Sequence, residues 1–373
     1  MNGVKAAMRI AILGTRGIPA SYGGFETFAE HLAVRLADRG HAVTVYGRSS
    51  YIRTREPAYR GVRLVILPTV MHKYLDTPVH TFLSTAHAMF RRYDVLLYCN
   101  SANAFCTFVP RIFGKKVALN VDGLEWQRAK WNRFGRAVYR FSEYLSTLLP
   151  DRVVTDARVV QDYYHERFRK PSTYIPYGTP VGRTSSAEIL AQYGVERGRY
   201  FLYVSRLEPE NNALAVVREF EKVRTGHRLV VVGDAPFSSA YIRSLKATKD
   251  SRIVFTGYVF GSGYREFQSN AYGYIQATEV GGTHPALLEA MGHGNCILAN
   301  DVPEHREALG DAGVYYRIRE PGSLASRITW AAAHPDEVRR LRGKAMRRAA
   351  ERYSWEKVTL DYERLFLRMT GIR

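Results

Sequence analysis

No stretch of this chain approaches the roughly 20 uninterrupted apolar residues that a membrane-spanning helix requires. The opening residues, Met1 to Leu13, read as a short leader and then a strand, without the apolar segment and cleavage site of a secretion signal. Cysteine is scarce. The three, Cys99, Cys106 and Cys296, form no CxxC pair, which argues against a disulfide framework and against a thiolate zinc site. A reduced, cytoplasmic setting is expected. A GxGxxG is also missing: the first glycine loop reads GTRGIPASYGG, so a dehydrogenase-type dinucleotide site is poorly supported. There is no short-period repeat and no low-complexity tract.

Positive charge is what the chain has in excess. Lys and Arg number 54 against 35 Asp and Glu, a net of +19. Such a field favours anionic partners, whether nucleic acid, acidic lipid or phosphorylated small molecules. The basic residues are dispersed and no nucleic-acid-binding module is visible, so no specific nucleic acid is expected. With 46% apolar and 24% charged residues the composition is that of an ordinary globular protein. Its 373 residues suit two domains.

The rhythm of the chain is strand, loop, helix, strand. Ile10 to Leu13 ends at Gly14; Phe25, Phe28, Leu32 and Leu36 then recur at helical spacing, and HAVTVYG follows as a second strand. This is a βαβ unit, which joins parallel strands. VRLVILP, DVLLYCN, KKVALNVDG and DRVVTDA continue the series. It restarts near Tyr200 with YFLYVSR, HRLVVVGD, SRIVFTGYV, AYGYIQAT, NCILAND and GVYY. Between the two series, IPYGTPVGRTSSAEI gathers Pro, Gly and Ser and reads as a linker. Two doubly wound α/β domains are the simplest architecture. The tail, from RRLRGKAM to LFLRM, reads as helical throughout.

In open α/β sheets ligands sit beyond the carboxyl ends of the strands. Three loops fit that place. Gly23 and Gly24 precede a helix, where they either admit an anion to bare N–H groups or serve only a tight turn. In SRLEPENN, Arg206 leaves a strand end, where a guanidinium can pair with two phosphate oxygens. In EVGGTHPALLEAMGHG, Gly281, Gly282, Thr283 and His284 lead into a helix whose first turn takes Pro285. The helix dipole there favours a pyrophosphate, and Glu289, one turn on, can take two ribose hydroxyls.

Together these residues resemble retaining nucleotide-sugar glycosyltransferases of the GT-B fold, glycosyltransferase family 4. The likeness runs through GG-F-E at Gly23 to Glu26, SRLEPENN, GYV at Gly257 to Val259, LLEAMGHG and YSWEKVTLDYERLF. GTRGIPASYGGFETFAEHLA, NVDGLEWQRAKW, PENN and EVGGTHPALLEAM look like the bacterial β-1,4-rhamnosyltransferases of capsule and rhamnan assembly. The resemblance implies two Rossmann-like domains facing a cleft: an acceptor-binding domain over residues 1–180, a donor-binding domain over 181–355, and a C-terminal helix over 356–373 packing back on the first. It implies metal-independent transfer of a sugar, expected to be rhamnose from dTDP-rhamnose, to a lipid-linked saccharide. No cofactor is expected, and no convincing DxD for a metal is present.

The family pairs two glutamates eight residues apart. Glu289 matches the ribose partner, but the sugar-binding position is Gly281. Either Glu279 takes over the sugar contact or Gly281 leaves space for a deoxy-sugar. A family lysine is replaced by Asn211, so Arg206 would carry most of the diphosphate charge. Asn211 and Asn212 are both assigned to the donor, and Tyr258 to the base pocket or to the core. A family histidine is replaced by Asp122, assigned with Glu125 to the acceptor. Asp122, Arg206 and Glu279 are the expected catalytic residues.

Trp126 to Leu149 mixes Trp131, Phe134, Val138 and Phe141 with Arg128, Lys130, Arg133, Arg136 and Arg140. That suits a helix on an anionic membrane surface, and a peripheral protein of the inner leaflet is expected. A core-facing apolar side with a basic outer face is the alternative. UDP- or GDP-hexose donors, a GT-B epimerase or phosphorylase, a basic nucleic-acid- or nucleotide-binding protein without transferase activity and a noncatalytic nucleotide-sugar sensor are the rival functional readings.

Overall fold

In the computed structural model, residues 7–20, 23–54, 56–72, 75–128, 131–235 and 239–372 are described. The chain divides into two units, Met1–Gly178 with Trp355–Arg373, and Thr179–Ser354. Each is built on one sheet.

The first sheet uses β1 (Arg9–Leu13), β2 (Ala42–Arg48), β3 (Ala58–Tyr59), β4 (Val62–Leu67), β5 (Val95–Cys99), β6 (Lys116–Val121), β7 (Arg152–Thr155) and β8 (Thr173–Tyr174). Their order is β3-β4-β2-β1-β5-β6-β7-β8, parallel except for the β3–β4 hairpin. Central strands are apolar on both faces because helices cover both: Ile10, opposite Val43 and Val95, is fully buried. Before residue 179, the described helices of this unit are α1 (Gly24–Asp38), α2 (Asp76–Met89), α3 (Phe108–Ile112), α4 (Arg133–Leu148) and α5 (Arg158–Phe168).

The second sheet uses β9 (Tyr200–Val204), β10 (Arg228–Val232), β11 (Ile253–Gly257), β12 (Gly273–Gln276), β13 (Cys296–Asn300) and β14 (Gly313–Tyr316). Their order is β11-β10-β9-β12-β13-β14, all parallel. Eight helices accompany it. They are α6 (Glu188–Gln192), α7 (Ala213–Glu221), α8 (Ser239–Lys246), α9 (Gly261–Asn270), α10 (Pro285–Gly292), α11 (Pro303–Leu309), α12 (Ser323–Ala333) and α13 (Pro335–Arg352). Phe201, Val217, Phe220, Val231, Leu298 and Ile328 lie in its core.

The basic tail is two helices rather than one. After α13 the chain breaks, and α14 (Trp355–Thr370) belongs to the first unit. The break has a cause: the Thr179 N–H donates to the Tyr353 carbonyl at 2.7 Å, taking it out of the helical ladder. On the first unit, α14 packs Trp355 and Tyr362 against Phe28, and Tyr362 Oη accepts from Asn120 Nδ2 at 2.6 Å. Glu363, buried, accepts from Arg39 at 2.8 and 3.0 Å and pairs with His41 at 3.1 Å.

Removing one partner of a buried ion pair costs about 3–5 kcal/mol, because the other charge stays behind. Glu363→Ala is therefore expected to lower the urea midpoint of the first unit markedly. An unchanged midpoint would show that α14 is held by its aromatic contacts alone.

Candidate functional site

The loops of the second unit meet at the carboxyl edge of its sheet. After β9 the chain must turn tightly past the end of β10, and Gly233 lets it. A Cβ there would lie 1.8 Å from the Ser205 carbonyl oxygen, at a φ of +135° that side chains rarely adopt. The turn presents Arg206, whose guanidinium lies 3.9 Å from Glu208. Asn211 is buried and donates from Nδ2 to the Arg206 carbonyl at 2.8 Å, so in this structure it shapes the arginine loop. Asn212, left-handed at a φ of 63°, donates to the Ala277 carbonyl at 2.9 Å and ties the start of α7 to the end of β12. Tyr258 is partly exposed, stacks on Phe260 and donates to the Asp234 carbonyl at 3.1 Å.

Beyond β12, Gly281, Gly282 and Thr283 lead to His284, the residue before α10. The room that Gly281 leaves is taken by an imidazole: a Cβ there would stand 2.7 Å from His284 Nε2. That ring packs on His305, with centroids 4.9 Å apart. His305 Nδ1 is 2.7 Å from the Asn300 carbonyl and so donates, leaving Nε2 to accept from Thr278 at 3.4 Å. Burial pushes the His305 pKa down to about 4, so the ring is neutral.

Glu289, in α10, is partly buried and accepts from Tyr264 Oη at 2.5 Å; Gln268 Nε2 donates to the same hydroxyl at 2.9 Å. Burial pushes the Glu289 carboxyl up to about 7, and the Tyr264 hydrogen bond opposes it. Glu279 points elsewhere: it is held by Arg319 at 2.8 and 3.3 Å. The edge thus brings together a guanidinium, a helix start, the packed His284 and neutral His305 rings and a desolvated carboxylate.

In the first unit Gly23 precedes α1 and Gly24 begins it. Glu26, in the first turn, folds back to accept from the Arg16 N–H at 2.9 Å, and a Cβ on Gly23 would lie 2.7 Å from its Oε2. This carboxylate therefore lies beside the start of α1. Asp122 follows β6 and accepts from Tyr177 Oη at 3.4 Å. Burial, then Glu125 and Asp156, push its carboxyl well above the ordinary range. Glu125 is buried and bound to Arg128 Nε at 2.5 Å.

Residues 198–334 match the family model described as glycosyl transferases group 1, and residues 95–180 a domain of unknown function (DUF1972). The second unit carries a glycosyl transferases group 1 domain. A curated relative, O-antigen chain mannosyltransferase B of Escherichia coli, is 22% identical over 217 residues, 56% of this chain and 52% of that protein. The chain thus spans about half the length of that relative. Among solved structures, sucrose-phosphate synthase from Thermosynechococcus elongatus superposes with a TM-score of 0.84 at 18% identity, covering 98% of this chain and 100% of the other. HepE of Anabaena in complex with UDP-glucose gives 0.76 at 15%, covering 96% and 99%. The fold is GT-B.

Within the group 1 domain, Tyr264, Gln268, His305 and Arg319 went unread in the sequence. Tyr264 and Gln268 sit four apart in α9, a spacing that puts them on one face of a helix; His305 and Arg319 carry no local signal.

A carboxyl whose folded pKa is raised from 4.5 to about 7 stabilises the fold most below 4.5 and loses that contribution as pH rises to 7. Glu289→Gln is expected to flatten this decline, so the variant melts at or above the parent at pH 8. Parallel melting profiles from pH 5 to 8 would contradict the buried carboxyl.

Proposed function

We propose that the protein is a glycosyltransferase that takes a sugar from a nucleoside diphosphate. The observation that carries the reading is the group 1 domain edge, where Arg206, the Gly281–His284 helix start and the desolvated Glu289 converge. A diphosphate fits the first two, since a guanidinium pairs with two oxygens and a helix start favours anions. Ribose hydroxyls fit Glu289, displacing Tyr264 as its donor. Gly23 and Gly24 are proposed to offer an anion a place at the start of α1, beside the Glu26 carboxylate.

Transfer is proposed to retain the anomeric configuration without a metal. The anomeric carbon–phosphate oxygen bond breaks, the acceptor oxygen attacks from the same face, and its proton passes to the departing phosphate. Arg206 and the α10 start stabilise the charge that develops there. Asp122 orients the acceptor by hydrogen bonding, with Glu125 beside it, and its burial pushes its carboxyl above the ordinary range. Glu279 reaches the sugar only by leaving Arg319, an exposed partner whose loss costs little.

The donor is proposed to be dTDP-rhamnose and the acceptor a lipid-linked saccharide of cell-surface polysaccharide, met at the inner leaflet. A UDP- or GDP-hexose is the competing donor. HepE was solved with UDP-glucose, and the curated relative is named a mannosyltransferase.

The test is binding of dTDP, UDP, GDP, ADP and dTDP-rhamnose to the protein and to Arg206→Ala. Preference for dTDP ligands, weakened roughly tenfold or more in the variant, is expected for a lost charge-assisted pair. Preference for UDP or GDP would overturn the rhamnose assignment and keep the reaction. Equal response to every nucleotide would leave only attraction to a basic protein, and transfer abolished by a chelator and restored by Mg²⁺ would refute the metal-free step.

A further inference from the structure

We propose that the first unit docks on an anionic lipid bilayer through the layer α2–α3–α4, with α4 as the element that enters the interface. The inference deepens the proposed peripheral placement and rests on it, but it stands on a separate observation: α4 is packed inside out. Toward its own unit it turns Gly135, Ser142, Glu143, Ser146 and Thr147. Toward solvent it turns Phe134, 70% exposed, Val138, Phe141, 61% exposed, Tyr144 and Leu148. At 3.6 residues per turn these five form one stripe, the reverse of an ordinary surface helix.

The inversion is built into the packing. Ser146 Oγ donates to the Glu143 carbonyl at 2.6 Å and lies 3.1 Å from Tyr164 Oη, and Tyr163 Oη donates to the Glu143 carboxylate at 3.1 Å. Turning the phenylalanines inward would break the bonds to Tyr163 and Tyr164 and leave buried polar groups without partners. The aromatic residues therefore stay outside.

The stripe continues past the end of the helix. Arg111 Nη1 donates to the Leu148 and Leu149 carbonyls at 3.1 Å each, which fixes α3 to the end of α4. Ile112 and Phe113, 73% and 70% exposed, are thereby brought to the Leu148 end. Lys115 Nζ donates to the Arg91 carbonyl at 2.6 Å and draws in the end of α2, with exposed Phe90.

Charge selects the occupant. By the same geometry Arg133, Arg136 and Arg140 run along one flank of the stripe, while the one acid of α4, Glu143, faces inward. Two copies packed face to face would press arginine flanks together. A bilayer bearing anionic headgroups takes the aromatic stripe into its acyl boundary and the arginines at its surface.

The experiment is flotation of the full chain with phosphatidylcholine vesicles, with and without phosphatidylglycerol, at low and high salt. Binding to the anionic vesicles is expected, and salt weakens it. Arg133→Glu with Arg136→Glu is expected to lose roughly fivefold per arginine or more, and Phe134→Ser with Phe141→Ser to lose binding even at low salt. These side chains are exposed, so melting temperature and nucleotide binding are expected to stay as in the parent. Vesicle binding and the donor site thus fail or succeed separately. Equal flotation with neutral and anionic vesicles, or unchanged flotation of both variants, would overturn the proposal. So would a dimer in light scattering that Phe134→Ser with Phe141→Ser abolishes, since the face would then belong to a second copy.

Discussion

Parallel pairing is the constraint on which the rest of this structure depends. Hydrogen-bonded neighbours in both sheets run the same way, apart from the hairpin Ala58–Tyr59 with Val62–Leu67. Each strand must then be followed by a crossover, and each crossover starts at the same edge of its sheet. In the second unit, β9, β10, β11 and β12 deliver Arg206, Gly233, Tyr258 and the Gly281–His284 segment to that edge. In the first unit the same rule delivers Gly23, Asp122 and Asp156. No local interaction would gather residues so far apart in sequence.

Within that frame the second unit manages two electrostatic problems by desolvation. Burial pushes the Glu289 carboxyl up to about 7 against the opposing Tyr264 hydrogen bond, and burial keeps His305 neutral although the Asn300 carbonyl favours its protonated form. Such a site presents Arg206, with Glu208 at 3.9 Å, and the start of α10 where a diphosphate would lie. The first unit does something different. It crowds Asp122, Glu125 and Asp156 together, and burial with the two neighbouring carboxylates pushes the Asp122 carboxyl up.

Much of the fold was legible because buried parallel strands need continuous apolar runs. β1, β2, β4 to β7 and β9 to β14 are such runs. β3 and β8 are two-residue edge strands and leave no such mark. The tail misled because helical pattern continues through Tyr353 and Ser354, and the interruption comes from Thr179, far off in sequence. At the candidate site, glycines and the His-Pro pair marked the loops, since close backbone approach needs bare positions. What they leave room for was not readable: beside Gly281 it is the His284 ring, and Asn211 grips its own loop. The amphipathic pattern of α4 was equally ambiguous. Composition reveals two faces, and only packing reveals which one is inside.

The most direct measurement is a crystal structure of the protein grown with the nucleoside diphosphate that it binds best. The diphosphate is predicted to lie between Arg206 and residues 281–284, with the ribose hydroxyls on Glu289 and Tyr264 displaced from it. A diphosphate bound away from α10, with Glu289 still holding Tyr264, would contradict the account.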